Sequence, residues 1–398
     1  MVKHMNWKKE PLGKICKTTS GGTPSRKNQS YYQNGTIPWV KSGELENNII
    51  TTSEEFITEE GLLNSSAKIF PAGTLLIALY GATIGKLAFL GIDAATNQAV
   101  CGIFQNENVS LKYLYYYLLF QRPNLIKQGV GGAQPNISQT ILKKLEISYP
   151  DSITEQQRII ARIEELFSEL DKAVDTLKTT KEQLEVYRQA VLKDAFSDFE
   201  KKDSICNLTM VVTSGSRGWA KYYSNSGALF VRIGNLTHSG IDIDFRDIQH
   251  ITPPDNAEGV RTKLQPNDVL VSITADLGSI GFVSEKVEEA YINQHIALVR
   301  FQNPVQGRFM AWYLRSEYGQ KDLLKNKRGG GKLGLGLDDI RDTPVPIVDD
   351  VTAKETVDKI EEQLSVCNSI EKTVDTALVQ TDAMRQSILK QAFKEGSI

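Results

Sequence analysis

Residues 153–200 read ITEQQRIIARIEELFSELDKAVDTLKTTKEQLEVYRQAVLKDAFSDFE, and residues 351–393 repeat the pattern as VTAKETVDKIEEQLSVCNSIEKTVDTALVQTDAMRQSILKQAF. Ile163-Glu164-Glu165, Arg188-Gln189, Leu192-Lys193 and Ala195-Phe196 fall onto Ile360-Glu361-Glu362, Arg385-Gln386, Leu389-Lys390 and Ala392-Phe393 at one constant spacing of 197 positions. An internal repeat sets the terms on which every other segment is read. In the first copy Ile163, Leu170, Leu177, Leu184 and Val191 recur every seven residues; in the second, Ile360, Cys367, Val374, Thr381 and Ile388 hold the same places. Neither copy contains Pro or Gly. Such a pattern predicts a helix whose apolar seam faces another helix. Some 43 to 45 residues at about 1.5 Å each make a rod of roughly 65 Å. Two ordinary core helices are the alternative; length and strict sevens favour a coiled coil in which each copy is the other's partner.

The flanking segments are also doubled. Residues 1–150 and 201–348 each run through a glycine-rich turn, strand-like stretches, a short helix, a second glycine loop and an extended exit into a long helix. Residues 21–26, GGTPSR, correspond to residues 213–218, TSGSRG; Asn97-Gln98 corresponds to Asn293-Gln294; and Leu111–Leu119 corresponds to Phe309–Leu314. Between these islands the copies differ freely. The plan is therefore a first strand-rich domain (1–150), a first long helix (151–200), a second strand-rich domain (201–348) and a second long helix (349–398). The fold class is α+β: two mixed domains separated by two long helices that form an antiparallel coiled coil, with a pseudo-two-fold internal repeat.

Composition bounds what such a chain can do. With 40% hydrophobic and 24% charged residues, it has the balance of a soluble protein with enough apolar matter for several cores. No run of about 18 apolar residues and no signal-like N-terminus is present, which points to a cytoplasmic protein that engages no membrane. Cys16, Cys101, Cys206 and Cys367 are scattered without CxxC spacing, so neither a zinc site nor a disulfide framework is expected. The formal net charge of −2 excludes a histone-like polycation but not a localised basic face.

Candidate contacts follow from comparing the copies. Features common to both domains cannot make them read different things, so Asn97-Gln98 and Asn293-Gln294 are read as structural hydrogen-bonding groups, and the run Tyr113, Tyr115, Tyr116 and Tyr117 as core. Lys41 and Arg232 keep a cation at one matched place and suit phosphate. Residues that differ are the candidates for contacts specific to each domain, base readers if the target is nucleic acid: Arg26, Lys27, Asn28 and Tyr31 against Ser216, Arg217, Trp219, Lys221 and Tyr222. Tyr80 with Lys86, and Thr274 with Asp276, lie near strand ends. The run Lys325-Asn326-Lys327-Arg328-Gly329-Gly330-Gly331-Lys332 places four cations beside a glycine loop, as phosphate binding would require; a solvated surface run is the alternative. No amino-methylation loop of the Asn/Asp-Pro-Pro-Tyr/Phe type, no GxxxxGK[ST], no HExxH and no GxSxG is present, so no catalytic residue and no metal ligand is proposed.

Taken together, GGTPSR at residues 21–26, GGAQPNIS at 131–138, EQQRIIARIEELFSELD at 155–171, and the RQAVLKDAF and RQSILKQAF ends resemble the specificity subunits of type I restriction-modification systems. The Leu-Pro-Pro usual before the first helix is here Tyr149-Pro150-Asp151, a departure confined to the helix start. The resemblance implies that each strand-rich domain is a target-recognition domain for one half of a split site in double-stranded DNA. It also implies that the helices set the gap and dock two methyltransferase subunits, with restriction subunits joining the full complex. S-adenosylmethionine would then reside on the methyltransferase and no cofactor on this chain. Two other classes are compatible with the residues: a DNA-modifying enzyme with a built-in recognition half, and a coiled-coil scaffold that binds no DNA.

Overall fold

The computed structural model describes residues 6–394 apart from 47, 130–135, 256, 326 and 328–332. The chain divides into two compact units, residues 1–176 with 377–398 and residues 177–376. Among the described residues no helix is long and apolar enough to cross a membrane.

In the first unit a five-stranded sheet has the spatial order Thr18–Ser20, Val100–Ile103, Leu75–Ala78, Leu87–Leu90, Asn48–Ile50. A four-stranded sheet follows the order Phe56–Ile57, Ile37–Val40, Ala94–Thr96, Ile69–Phe70. The central strands read as continuous apolar runs because both their faces are covered. Leu75, Ile77, Cys101 and Ile103 turn toward the core shared with the helix Leu111–Gln128, while Leu76, Ala78 and Val100 turn toward Val40, Leu45 and Phe70. A two-stranded ribbon, Trp7–Pro11 with Glu146–Pro150, closes the unit.

The second unit repeats this plan. Thr209–Ser214, Ile296–Phe301, Val269–Ser272 and Ile280–Phe282 form one sheet in that order, and Tyr223–Ser224, Gln249–Ile251, Ala228–Val231 and Ala290–Ile292 form the other. Alternate residues again divide between two cores: Val269, Val271 and Ala297 on one side, Leu270, Ile296 and Leu298 on the other. Lys202–Ser204 pairs with Pro344–Pro346 as the closing ribbon.

The long helices span Ile153–Phe196 and Asp350–Ala392. In the first unit Ile159, Ile160, Ile163 and Phe167 share a core with Leu389, Ala392 and Phe393; in the second, Val191, Leu192 and Phe196 share one with Ala353, Val357, Ile360 and Leu364. Within each unit the beginning of one helix therefore meets the end of the other, as antiparallel pairing requires. Of the predicted seam, Ile163, Leu170, Leu184, Val191, Ile360, Cys367, Val374 and Thr381 are buried, and Leu177 and Ile388 half-buried.

The helix Leu111–Gln128 joins this seam in the first unit and the helix Gly307–Arg315 does so in the second. Phe393 lies 5.4 Å from Tyr113 and 5.1 Å from Tyr117, centroid to centroid, and Phe196 lies 5.4 Å from both Phe309 and Tyr313. The same three aromatic positions thus recur, with the phenylalanine supplied by the second helix in one unit and the first helix in the other. Tyr113, Tyr116 and Tyr117 are buried and Tyr115 is partly so. Their hydroxyls remain satisfied: Tyr113 donates to Ser148 O at 2.8 Å and Tyr116 to Glu164 Oε1 at 3.0 Å.

Candidate nucleic-acid interface

Each unit gathers the divergent segments at one edge by backbone hydrogen bonds common to both. In the first unit Gly21 N donates to Val100 O (3.1 Å) and Gly22 N to Thr96 O (2.9 Å), laying the loop after Thr18–Ser20 across the Asn97-Gln98 turn. Leu79 N donates to Ala99 O (2.8 Å) and Ile137 N to Leu79 O (2.8 Å), and Tyr80 bridges Asn136. The second unit makes the equivalent bonds: Gly215 N to Ile296 O, Ile273 N to His295 O, Leu335 N to Ile273 O, with Thr274 bridging Gly334. Three segments far apart in sequence, namely the turn after the first strand, the strand end and the exit from the second glycine loop, therefore come together twice. Glycine is required at the crossing. A Cβ at Gly21 would lie 2.2 Å from Thr96 O, and one at Gly215 would lie 2.2 Å from Asn293 O.

Side chains fill this shared scaffold differently. In the first unit Trp39 Nε1 donates to Gly22 O at 2.9 Å, Tyr32 OH donates to Pro24 O at 2.6 Å, and the Thr23 hydroxyl donates to Gln98 Oε1. Arg26 lies over Tyr32 and Trp39, 4.4 and 4.9 Å from the ring centroids, and pairs with Glu55 at 2.7 Å. Glu55 also meets Lys41 at 2.9 Å, and Lys41 meets Glu54 at 3.1 Å. Hydrogen bonds from Arg26 and then Lys41 hold the Glu55 carboxyl below its ordinary range. Lys27 is exposed, Tyr80 is 39% exposed, and Tyr31 and Lys86 are half-buried.

In the second unit Arg217 and Lys221 are exposed, and Lys221 Nζ sits 4.9 Å from the centre of Tyr222. Trp219 turns inward. It is 3% exposed and stacks on Phe230 at 5.1 Å, so in this conformation its ring has no face to offer a base. Arg232 donates to Asp247 O at 3.1 Å and lies 3.4 Å from its carboxylate. The matched cations Lys41 and Arg232 thus both face a carboxylate of their own unit. Asp276 meets His238 Nε2 at 2.7 Å, and Thr274 bonds His295. Lys325 and Lys327 are exposed; Arg328 and Lys332, named with them, lie outside the described residues. Asn293 Oδ1 accepts from His295 N at 3.1 Å, a structural bond of the kind expected at that turn.

Sequence comparison missed two groups that shape this edge. Glu55 ties Arg26 to Lys41, and Arg261, from the short helix Ala257–Thr262, reaches Thr213, Ser214 and Ser216. Neither lies near its partners in sequence, and no local pattern marks them.

Residues 5–186 match the family model described as the type I restriction modification DNA specificity domain. The EcoR124I/EcoR124II specificity subunit of Escherichia coli is 29% identical over 51% of this chain and 50% of that protein. The StySPI specificity subunit of Salmonella potsdam is 25% identical over 98% of this chain and 88% of that protein. The chain thus spans about half the length of the EcoR124I relative, and likewise 45% of the MjaIX specificity subunit of Methanocaldococcus jannaschii. Among solved structures, one described as the structural basis underlying complex assembly and conformational transition of the type I R-M system matches with a TM-score of 0.76, at 16% identity, over 100% of both chains. The HsdS subunit from Thermoanaerobacter tengcongensis matches at 0.58, with 17% identity, over 98% of this chain and 97% of that one. At those identities the likeness concerns the fold.

Proposed function

We propose that the chain is a specificity subunit of a type I restriction-modification system, the family whose DNA specificity domain residues 5–186 match, and that it binds duplex DNA, reads a two-part site and performs no chemistry itself. One observation carries this reading: a single backbone scaffold occurs twice and presents different side chains at the same edge. A shared scaffold with divergent tips is what two readers of unlike half-sites need, because backbone contacts position a protein on DNA while side chains at base edges discriminate. The long unbroken helices are assigned the spacing between the half-sites. Their repeated faces are assigned to two copies of one methyltransferase subunit, which brings S-adenosylmethionine, with restriction subunits joining the complete assembly in the cytoplasm.

The test is domain exchange. Replacing residues 1–150 by the first domain of another specificity subunit, in cells that supply the methyltransferase, should change one half of the methylated motif and leave the other intact. If both halves changed, or neither, the domains would not be independent readers. Purified chain alone should transfer no methyl group to DNA. The mass of the co-purified complex should show two methyltransferases to one chain; a one-to-one complex that takes up no second copy would remove the symmetry argument.

A further inference from the structure

We infer that Arg261 is a positioning residue for the second unit: its guanidinium fixes the backbone and hydroxyls of residues 213–216 and so aims Arg217, without itself touching DNA. This rests on the reading of that edge as a DNA-contacting surface. Nη1 donates to Thr213 Oγ1 at 2.7 Å and to Ser214 O at 2.6 Å, and Nη2 donates to Ser216 Oγ at 2.5 Å. Two nitrogens of one rigid fork are thus committed to three acceptors, two at the end of the strand Thr209–Ser214 and one in the loop that follows it. A guanidinium can do this because its donors are coplanar and fixed in direction. A lysine ammonium carries the same charge but is a point on a flexible stem, and cannot hold the three acceptors in the same arrangement.

The loop is held at its other end as well. Gly218, at φ +86°, turns the chain so that Trp219 drops into the core beside Phe230. Between these two fixtures lies Arg217, which is exposed. Its base-reading geometry is therefore set by Arg261 on one side and Trp219 on the other. The first unit fixes its equivalent loop through Trp39, Tyr32 and Thr23. A change at Arg261 should accordingly be felt in one half-site alone.

Phosphate contact and positioning make opposite predictions for lysine. Arg261→Lys and Arg261→Ala would be compared with wild type as full chains in complex with methyltransferase. The probes are duplexes carrying the motif methylated in the host genome and single-base variants in each half, each titrated over a range of salt. Positioning requires that both variants lose about tenfold in discrimination within the second half-site. They should keep discrimination in the first and leave the slope of affinity against salt unchanged. If Arg261→Lys behaved as wild type while Arg261→Ala weakened every duplex equally and flattened the slope by about one, Arg261 would be a phosphate contact and the inference overturned. Hydrogen exchange in the DNA-free protein gives a second decision. Amides of residues 215–218 should exchange faster in both variants, with core strands such as Val269–Ser272 unchanged; unaltered loop exchange would overturn the inference regardless of any DNA result. Failure of the wild-type complex to prefer any sequence would instead count against the DNA-reading function, while the exchange result would still decide whether Arg261 holds the loop.

Discussion

The loops that follow Thr18–Ser20 and Thr209–Ser214 occupy one place in two copies of the same scaffold, and they are locked by different chemistry. In the first unit the locks are aromatic and ionic: Trp39 and Tyr32 hold the loop backbone while Glu55 draws Arg26 over their rings. In the second, one guanidinium holds the loop and a tryptophan is sunk beneath it. The backbone ladder is common because it must carry the core on both faces. The locks are free to vary because they face a surface whose shape has to differ between readers.

The same freedom extends into the sheet, and here the largest effect is expected. Arg300 of the second unit is bonded through Nε and Nη2 to Asp268 at 2.7 Å each, and Asp268 is fully buried. Burial pushes that carboxyl above its ordinary range while Arg300 pulls it back. In the first unit the corresponding places hold Thr74 and Phe104, the latter edge-on to Phe70 at 5.7 Å. Arg300→Ala should cost about 3–5 kcal/mol, since it strands a buried charge. Phe104→Ala should cost about 2 kcal/mol, since its ring is only half-buried and no charge is exposed to the core. Urea unfolding with hydrogen exchange resolved by unit checks both values. Converting the ion pair to its apolar counterpart, Asp268→Thr with Arg300→Phe, should recover most of the loss. If it recovers nothing, the two solutions are not interchangeable.

A next smaller effect separates the readers themselves. Arg217→Ala should relax preference at one base pair by about 1–3 kcal/mol, measured by competition between single-base variants of the host motif. Lys327→Ala should weaken all sequences alike and flatten the salt dependence by about one unit. Equal salt slopes for wild type and Lys327→Ala would sink the phosphate assignment. Arg26, already committed to Glu55 and two rings, should tolerate alanine with less loss of preference than Arg217 does.

Smaller again is the contrast along the helices. Arg188 and Arg385 are one position in the repeat. Arg188 is 7% exposed and bonds Glu371 and Asn368 at 2.8 Å each, whereas Arg385 is 33% exposed, pairs with Asp171 and lies over Phe167. Arg188→Ala should therefore cost about 1.5 kcal/mol. Arg385→Ala should cost under about 1 kcal/mol, as exposed pairs do. Thermal unfolding of the two single variants would rank them; the reverse order would mean that burial is not what distinguishes the pair.

These contrasts mark how far the sequence could be read. The helices, their seam and the doubling of the domains were legible because Ile163 through Val191 and Ile360 through Ile388 repeat a local period, and a period survives without knowledge of the partner. The strand islands were legible because two covered faces demand apolar runs such as residues 75–79 and 269–271. What could not be read was any lock made across sequence distance. Arg261 meets Ser216, Glu55 meets Arg26 and Arg300 meets Asp268 only after the sheets have formed, and none of these pairs has a spacing rule. Trp219 shows the converse: it stands in a divergent, basic, aromatic loop that reads as contact surface, yet the left-handed turn at Gly218 sends it inward.

The mildest test uses acid to tell the two locks apart. Glu55 is ionised more readily than an ordinary glutamate because Arg26 and Lys41 both donate to it. A carboxylate with a depressed folded value contributes stability above the unfolded value, and that contribution disappears as pH falls through the folded one. Below the ordinary glutamate range of about 4.3, Glu55 should gain a proton and release Arg26 from its place over Tyr32 and Trp39. The lock in the second unit is made of a guanidinium on two hydroxyls and a carbonyl and contains no carboxylate. The indole N–H resonances report on each unit, since Trp39 is bonded to Gly22 and Trp219 lies under the second loop. As pH falls from neutral through and below the ordinary glutamate range, the Trp39 signal should move with the Glu55 carboxyl, and Glu55→Gln should abolish that movement. The Trp219 signal should hold its position over the same range. Concerted movement of both would mean that acid acts on the fold as a whole, and the distinction between an ionic lock and a guanidinium clamp would fail.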